Sequence, residues 1–256
     1  MKPYVISICH QKGGVAKTTT AMSLAACLAN PQGQKVLLID LDPSANLTSG
    51  FGINPGSVER SAADVLLGNE TLSMVTRPSG TPDLDMVASN KEMSKAAQFL
   101  TLRPNYEELI RDNISSNGMA DYNFVVVDCP PTVGALTISS LAASDLAIIP
   151  TQCEYFSIQA LNGVFKIINK VRRDLNPQLY YRLLVTMYDR RGNLHGQIFE
   201  KLKSHYADVL LDTVIGFDSK FRASQVAGVP ITEFSVMTRG AQQYQALAKE
   251  IMTYVE

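Results

Sequence analysis

The chain contains no tryptophan, only three histidines and only four cysteines in 256 residues, and its formal net charge is −1. The cysteines, Cys9, Cys27, Cys129 and Cys153, stand far apart with no CxxC pair. That spacing excludes a zinc knuckle and a disulfide framework, and leaves reduced, buried thiols as the expectation. No apolar run approaches the roughly 18 to 20 residues of a membrane span. The opening MKPYVISICHQKGG lacks the basic, apolar and cleavage regions of a secretory signal, so a cytoplasmic location is expected. Charge of one sign is missing overall but not locally. Residues 1–165 carry 10 Lys and Arg against 15 Asp and Glu, whereas residues 166–256 carry 13 against 9. A modestly basic C-terminal third hints at an anionic partner on one face.

What is present is a hydrophobic content of 46% and an alternation of strand and helix patterns. Tyr4 to Cys9 reads as a strand, followed by a Gly-containing loop and a helix from Thr18 to Ala29. Val36–Ile39, Phe124–Val127 and Leu146–Ile149 are continuous apolar runs, the signature of parallel strands buried on both faces. Further strands are expected at Leu84–Ala88, Leu183–Val185 and Val214–Ile215. Helices are expected at Asn105–Ile114, Phe156–Arg173, Leu194–His205 and Ala241–Tyr254. From Ser44 to Pro82, Gly and Pro are scattered through the chain, and mobile loops are expected there with one short helical stretch at Ala62–Leu67. The pattern predicts an α/β fold: a doubly wound, mostly parallel sheet flanked by helices, in one domain over residues 1–256.

The segment Gln11-Lys12-Gly13-Gly14-Val15-Ala16-Lys17-Thr18-Thr19 lies directly between the first strand and the first helix. Adjacent glycines let backbone amides approach phosphates, and a helix N-terminus adds positive dipole. A nucleoside triphosphate is the natural ligand, with Lys17 on its β- and γ-phosphates and the Thr18 hydroxyl on magnesium. Gln11 and Ala16 stand where the general GxxxxGK[ST] loop has glycine. Asp40 and Asp42 close the second expected strand, two residues apart and so on one side of an extended chain, and Asp128 closes another. His10, just before the loop, reads as a packing or hydrogen-bonding residue, since phosphoryl transfer needs no histidine and none is paired with it.

KGGVAKT resembles the deviant Walker motif KGGxxK[ST] of the ParA/MinD family of ATPases, whose mark is the second lysine, here Lys12. DLDPSAN (40–46), VDCPP (127–131) and PTQCEY (150–155) resemble that family's other boxes in order and spacing. With LVTMYDRR (184–191) and RGAQQYQALAKE (239–250), the resemblance covers nearly the whole chain and is nearest to ParA-type partition proteins. It implies a P-loop NTPase fold, ATP and Mg2+ as cofactors, and slow, partner-stimulated hydrolysis of ATP to ADP and phosphate. Lys12 would reach in trans to the phosphates of a second copy in an ATP-bound homodimer. By the same analogy Asp42 orients the attacking water, Asp40 and Asp128 with Thr18 serve magnesium, Pro130 and Pro131 stiffen a switch, and Gln152 belongs to the nucleotide pocket. The assignment within the Asp40/Asp42 pair stays open. Ser44 stands where relatives carry glutamine.

ParA-type relatives bind DNA without sequence preference in their ATP state, which would place the protein on the nucleoid. The candidates here are Arg191, Lys220 and Arg222. Gly216 and Phe217 occupy positions where many relatives have proline and arginine. An adaptor or centromere-binding protein would stimulate hydrolysis and couple it to the movement of a plasmid, chromosome or protein assembly. A MinD-like membrane mode would need a basic amphipathic tail, whereas AQQYQALAKEIMTYVE has one lysine and ends in glutamate, so no membrane partner is expected. A biosynthetic ligase of the same fold is the other alternative, and it should not need Lys12 in trans.

Overall fold

Strand burial explains the continuous apolar runs. In the computed structural model, which describes residues 2–30, 32–116 and 118–255, eight strands form one sheet: β1 (Tyr4–Ile8), β2 (Val36–Asp40), β3 (Arg77–Pro78), β4 (Leu84–Val87), β5 (Phe124–Asp128), β6 (Leu146–Gln152), β7 (Tyr180–Tyr188) and β8 (Leu210–Gly216). Their spatial order is β3-β4-β2-β5-β1-β6-β7-β8, and every pairing is parallel except the β3–β4 edge. β2, β5 and β6 are buried at every position. Their side chains alternate between two cores: Val125 and Val127 enter one, Phe124 and Val126 the other. A sheet covered on both faces has no reason to alternate polar with apolar residues.

One face is covered by α1 (Lys17–Ala29) and, beside the short α2 (Asn46–Gly50), by the C-terminal α12 (Arg239–Met252). Helix α1 is buried almost all round, because Ala, Ser and Thr leave little side chain between it and its neighbours. Tyr244 of α12 is fully buried and its hydroxyl bonds Thr20 of α1 at 2.9 Å. The other face carries α3 (Ala62–Leu67), α4 (Leu72–Val75), α5 (Met93–Phe99), α6 (Leu109–Ser115), α7 (Ala135–Ala143), α8 (Tyr155–Asp174) and α9 (Asn193–Tyr206). Two short helices, α10 (Lys220–Ala227) and α11 (Ile231–Phe234), link β8 to α12. No helix among the described residues is long and apolar enough to cross a membrane.

In the stretch 44–82 the expected helix at Ala62–Leu67 is present as α3, which starts with a capping box in which Ser61 N–H donates to the Asp64 carboxylate at 2.9 Å, while α2, α4 and β3 stand where loops were expected. Helices of four or five residues are shorter than two turns and leave no 3.6-residue periodicity to read. The helix expected over 105–114 divides into a tight turn at Tyr106–Glu108 and α6. Helices α5, α7, α10 and α11 have no counterpart in the sequence reading.

Candidate nucleotide site

Strand order reverses about β1, and the loop that leaves it reaches α1 at the carboxyl edge of the sheet, where doubly wound folds bind ligands. The loop is bent through two left-handed residues, Gly14 (φ 76°) and Ala16 (φ 67°, ψ 32°). Ala16 sits where the general motif has glycine, and an alanine in that region costs about 1 to 2 kcal/mol. The strained conformation is braced from outside. Gln152 Nε2 donates to the Gly14 carbonyl at 2.9 Å, and Thr186 Oγ1 donates to that of Val15 at 3.0 Å. Lys17 Nζ donates to the Lys12 carbonyl at 3.1 Å, and Lys12 N–H donates to His10 Nδ1 at 2.9 Å. With loop carbonyls held in this way, the first-turn N–H groups of α1 remain for an anion.

A cavity of about 440 Å³ opens over the loop, walled by Gly13, Lys17, Thr18, Asp42, Ser44 and Pro131 among others. Through Gly14, Ala16, Thr19 and Gln225 it joins a second, mainly apolar cavity of about 220 Å³ walled by Met187, Ile215, Phe217, Phe221 and Arg222. Phe221 is held edge-on against Tyr244, with centroids 5.7 Å apart. A polar lobe over a glycine loop joined to an apolar lobe suits a phosphate chain attached to an apolar-faced base. The apolar lobe was not foreseen from sequence. Its residues are single apolar positions at the ends of β7 and β8 and on α10, with no motif to link them.

The three carboxylates have different environments. Asp128, in register with Asp40 across β5 and β2, is fully buried, and both of its oxygens lack a hydrogen-bond partner among the described residues. Burial, reinforced by Asp40, pushes its pKa well above the usual carboxylate range, while the Thr18 hydroxyl and Lys17 work the other way. An orphaned buried carboxylate beside a threonine hydroxyl is a hard oxygen donor set that magnesium would satisfy. No cluster of three or more His, Cys, Asp or Glu side chains fit to hold a metal exists among the described residues. Magnesium takes one or two protein ligands and completes its shell with phosphates and water.

Asp40 lies elsewhere than expected. It is fully buried and absent from the cavity wall, and its oxygens accept from Asp42 N–H (3.0 Å), Thr48 N–H (2.9 Å) and Thr48 Oγ1 (2.7 Å). Burial pushes its pKa up to about 6, against the opposing pull of the Thr48 bonds. In this geometry Asp40, expected to serve magnesium, ties the 40–48 segment together, and Asp42 is the member of the pair that faces the cavity. Asp42 in turn accepts Ser44 N–H at 2.9 Å. Gln152 also differs from expectation, since it braces Gly14 and lies behind the cavity wall. Val15 is fully buried, so only its backbone faces the loop.

The two lysines part company. Lys17 is buried in the cavity wall, where burial lowers its pKa against the pull of Asp128 and Asp42. Lys12 turns away from that cavity, and its Nζ donates to Gln152 Oε1 (3.3 Å), Glu154 Oε2 (2.7 Å) and Ser157 Oγ (3.0 Å). The basic candidates do not form one patch. Arg191 makes a two-pronged pair with Asp189 and lines a cleft of about 560 Å³ with Arg190 and Arg239, Lys220 is exposed at the start of α10, and Arg222 lies on the apolar cavity.

A family model described as an AAA domain matches residues 3–181. The chain is 35% identical over 249 residues to the sporulation initiation inhibitor protein Soj of Bacillus subtilis, covering 96% of this chain and 97% of Soj. It is 34% identical over 255 residues to the chromosome partitioning protein ParA of Caulobacter vibrioides, covering 97% and 94%. Among solved structures it resembles a cobyrinic acid a,c-diamide synthase of Mycobacterium smegmatis with bound ATP analogue and magnesium, at a TM-score of 0.85 and 28% identity over 99% of this chain and 96% of that one. Full-length similarity thus coincides with a loop that carries both lysines and a carboxylate at each of two neighbouring strand ends, and the chain belongs to the ParA-type family of partition ATPases.

Proposed function

We propose that this protein binds ATP with magnesium, dimerises around it, and in that state binds DNA without sequence preference, hydrolysis releasing the dimer. The observation that carries the reading is the division of the two lysines. Lys17 lines the phosphate cavity of its own chain, whereas Lys12 points out of it toward Glu154 on the protein surface. Phosphoryl transfer is catalysed mainly by positioning and by positive charge on the transferring oxygens, so a cation supplied in trans makes hydrolysis conditional on the dimer. In this scheme the loop amides and Lys17 hold the phosphates, and Thr18 and Asp128 hold magnesium. Asp42 accepts a hydrogen bond from the attacking water and is oriented by the Ser44 N–H. Held there, magnesium would neutralise charge on the phosphate oxygens. Met187, Ile215, Phe217 and Phe221 enclose the base.

DNA phosphates would meet the cleft of Arg190, Arg191 and Arg239, with Lys220 beside it on the α10 turn. An adaptor that stimulates hydrolysis would then convert ATP turnover into movement of a cargo over the nucleoid. α12 supports a nucleic-acid matrix over a membrane, since its apolar face, Tyr244, Leu247 and Ile251, is committed to the core. The test is binding to nonspecific duplex DNA with ATP, with ADP and without nucleotide across a salt series, with mass followed in the same samples. ATP-dependent, salt-sensitive binding by a dimer is expected. A dimer without DNA affinity would move the matrix to a membrane or protein surface. A monomer in every state would favour a biosynthetic activity, as in the diamide synthase of Mycobacterium smegmatis.

A further inference from the structure

Helix α10 runs past the two joined cavities, and one of its faces meets both of them. Phe221 walls the apolar lobe, and Gln225, four residues on and so on the same face one turn away, walls both lobes. The lobes share Gly14, Ala16, Thr19 and Gln225. Gly14 and Ala16 carry no polar side chain, so Thr19 and Gln225 supply all the side-chain hydrogen bonding at the junction. They are already joined, since Gln225 Nε2 donates to Thr19 Oγ1 at 3.1 Å. That bond takes one of the two amide hydrogens and orients the group. One N–H and the carbonyl oxygen Oε1 remain, and Oε1 meets no donor among the described residues. The helix itself is fixed at both ends. Phe221 is held edge-on by Tyr244, and the C-cap Gly228 packs so closely on Gly52 that a β-carbon there would lie 3.0 Å from the Gly52 Cα.

We propose that Gln225 is a specificity-determining residue that reads the sugar of the nucleotide, its remaining N–H and Oε1 bonding the paired hydroxyls of a ribose. This role rests on the reading of the two lobes as a phosphate site and a base site. In a nucleoside triphosphate the group between base and phosphates is the sugar, so the junction of the lobes is where it lies. A ribose offers two adjacent hydroxyls, each a donor and an acceptor, and they match an amide edge that presents one donor beside one acceptor. A deoxyribose offers only one of them. Gln225 is exposed, so a group left without its hydroxyl returns to water, and discrimination amounts to the net worth of one neutral hydrogen bond, about three- to ten-fold for each hydroxyl removed. An enclosed site would discriminate far more strongly. Because Thr19 orients the amide before any ligand arrives, little of that gain is lost in ordering the side chain.

The experiment measures, by calorimetry with magnesium, the affinity of the full chain and of Gln225→Leu for ADP, 2′-deoxy-ADP and 3′-deoxy-ADP. The diphosphates keep the sugar and base and are not turned over. Leucine keeps the approximate size of the side chain and cannot hydrogen-bond. The wild type should bind each deoxy analogue about three- to ten-fold more weakly than ADP, and Gln225→Leu should bind all three alike. The protein and ligand changes together form a double-mutant cycle, which isolates the contact between the amide and the hydroxyls. Equal affinity of the wild type for the three nucleotides overturns the sugar reading, and that arm depends on no variant. Discrimination that survives in Gln225→Leu, with all three nucleotides weakened by one factor, also overturns it and would turn Gln225 toward the phosphates. Both of these results leave the nucleotide site intact, since ADP still binds. Failure of the wild type to bind any of the three would overturn the nucleotide reading and the sugar reading with it.

Discussion

Lowering the pH should destabilise this protein through His10 by an amount the structure sets. The ring is buried, its Nδ1 accepts the Lys12 N–H at the entrance to the phosphate loop, and its Nε2 has no partner among the described residues. Burial, then Lys17 and Lys12, lower its pKa from 6.5 to about 4. A histidine whose folded pKa lies below its unfolded value takes up a proton more readily when unfolded. The stability it contributes is therefore complete above about pH 6.5 and is lost as pH falls toward 4. Each pKa unit corresponds to about 1.4 kcal/mol, so the whole loss is about 3 kcal/mol, of which about 2 kcal/mol has gone by pH 5.

The assay is urea unfolding at pH 7.5 and pH 5. It is followed by far-ultraviolet circular dichroism because the chain has no tryptophan to report by fluorescence. His10→Asn, which keeps a short acceptor for the Lys12 N–H and cannot titrate, is the comparator. Other groups titrate alike in both proteins and cancel in the difference. The wild type should lose about 2 kcal/mol more than His10→Asn between the two pH values. Equal losses would refute the argument, and would mean that His10 gains solvent or an anionic partner when protonated.

Lys12→Ala should lower adaptor-stimulated hydrolysis by on the order of 10³-fold, the scale of other trans-acting cations in phosphoryl transfer; an unchanged rate in a phosphate-release assay would remove the lysine from the mechanism. The two neighbouring aspartates should separate cleanly. Asp42→Ala should keep ATP and accumulate the dimer in sedimentation, whereas Asp40→Ala, which strands buried Thr48 and Asp42 N–H groups, should cost about 3 kcal/mol in urea unfolding. A β-carbon at Gly240 would lie 2.5 Å from Phe221 Cζ, so Gly240→Ala should push the ring into the apolar cavity and weaken ATP about ten-fold by calorimetry. Unchanged affinity would place the base elsewhere. Because Arg222 lines that cavity and Lys220 does not, Lys220→Glu should weaken DNA binding alone, and Arg222→Glu should weaken ATP binding as well; equal ATP affinity in the two variants, measured separately, would contradict the placement.

How much of the site could be read in advance follows from how locally each part is encoded. The phosphate loop was legible because one contiguous segment supplies its lysines, its threonines and the bend at Gly14. The place of Asp128 at a strand end was legible because a continuous apolar run ends on it. Asp40 and Asp42 were not separable. Period-two geometry puts both on one side of an extended chain, but the chain stops being extended after Asp40. What decides between them is Thr48, eight residues on, whose backbone and hydroxyl take the Asp40 carboxylate and swing Asp42 toward the cavity. The apolar lobe was beyond reach for a related reason: Met187, Ile215 and Phe221 look like any other core residues, and only the register of β7 with β8 and the packing of Phe221 on Tyr244 bring them to one place. The direction of Lys12 depends on Glu154 and Ser157, more than 140 residues away and adjacent only because β6 lies next to β1. Chemistry carried by one segment is written in the order of its residues, whereas chemistry that depends on which way a side chain turns is written in its tertiary neighbours. In this protein the directions of Lys12 and Asp42 fall in the latter class, so variants at Glu154 and Thr48 should alter the geometry around the loop while the motif itself remains untouched.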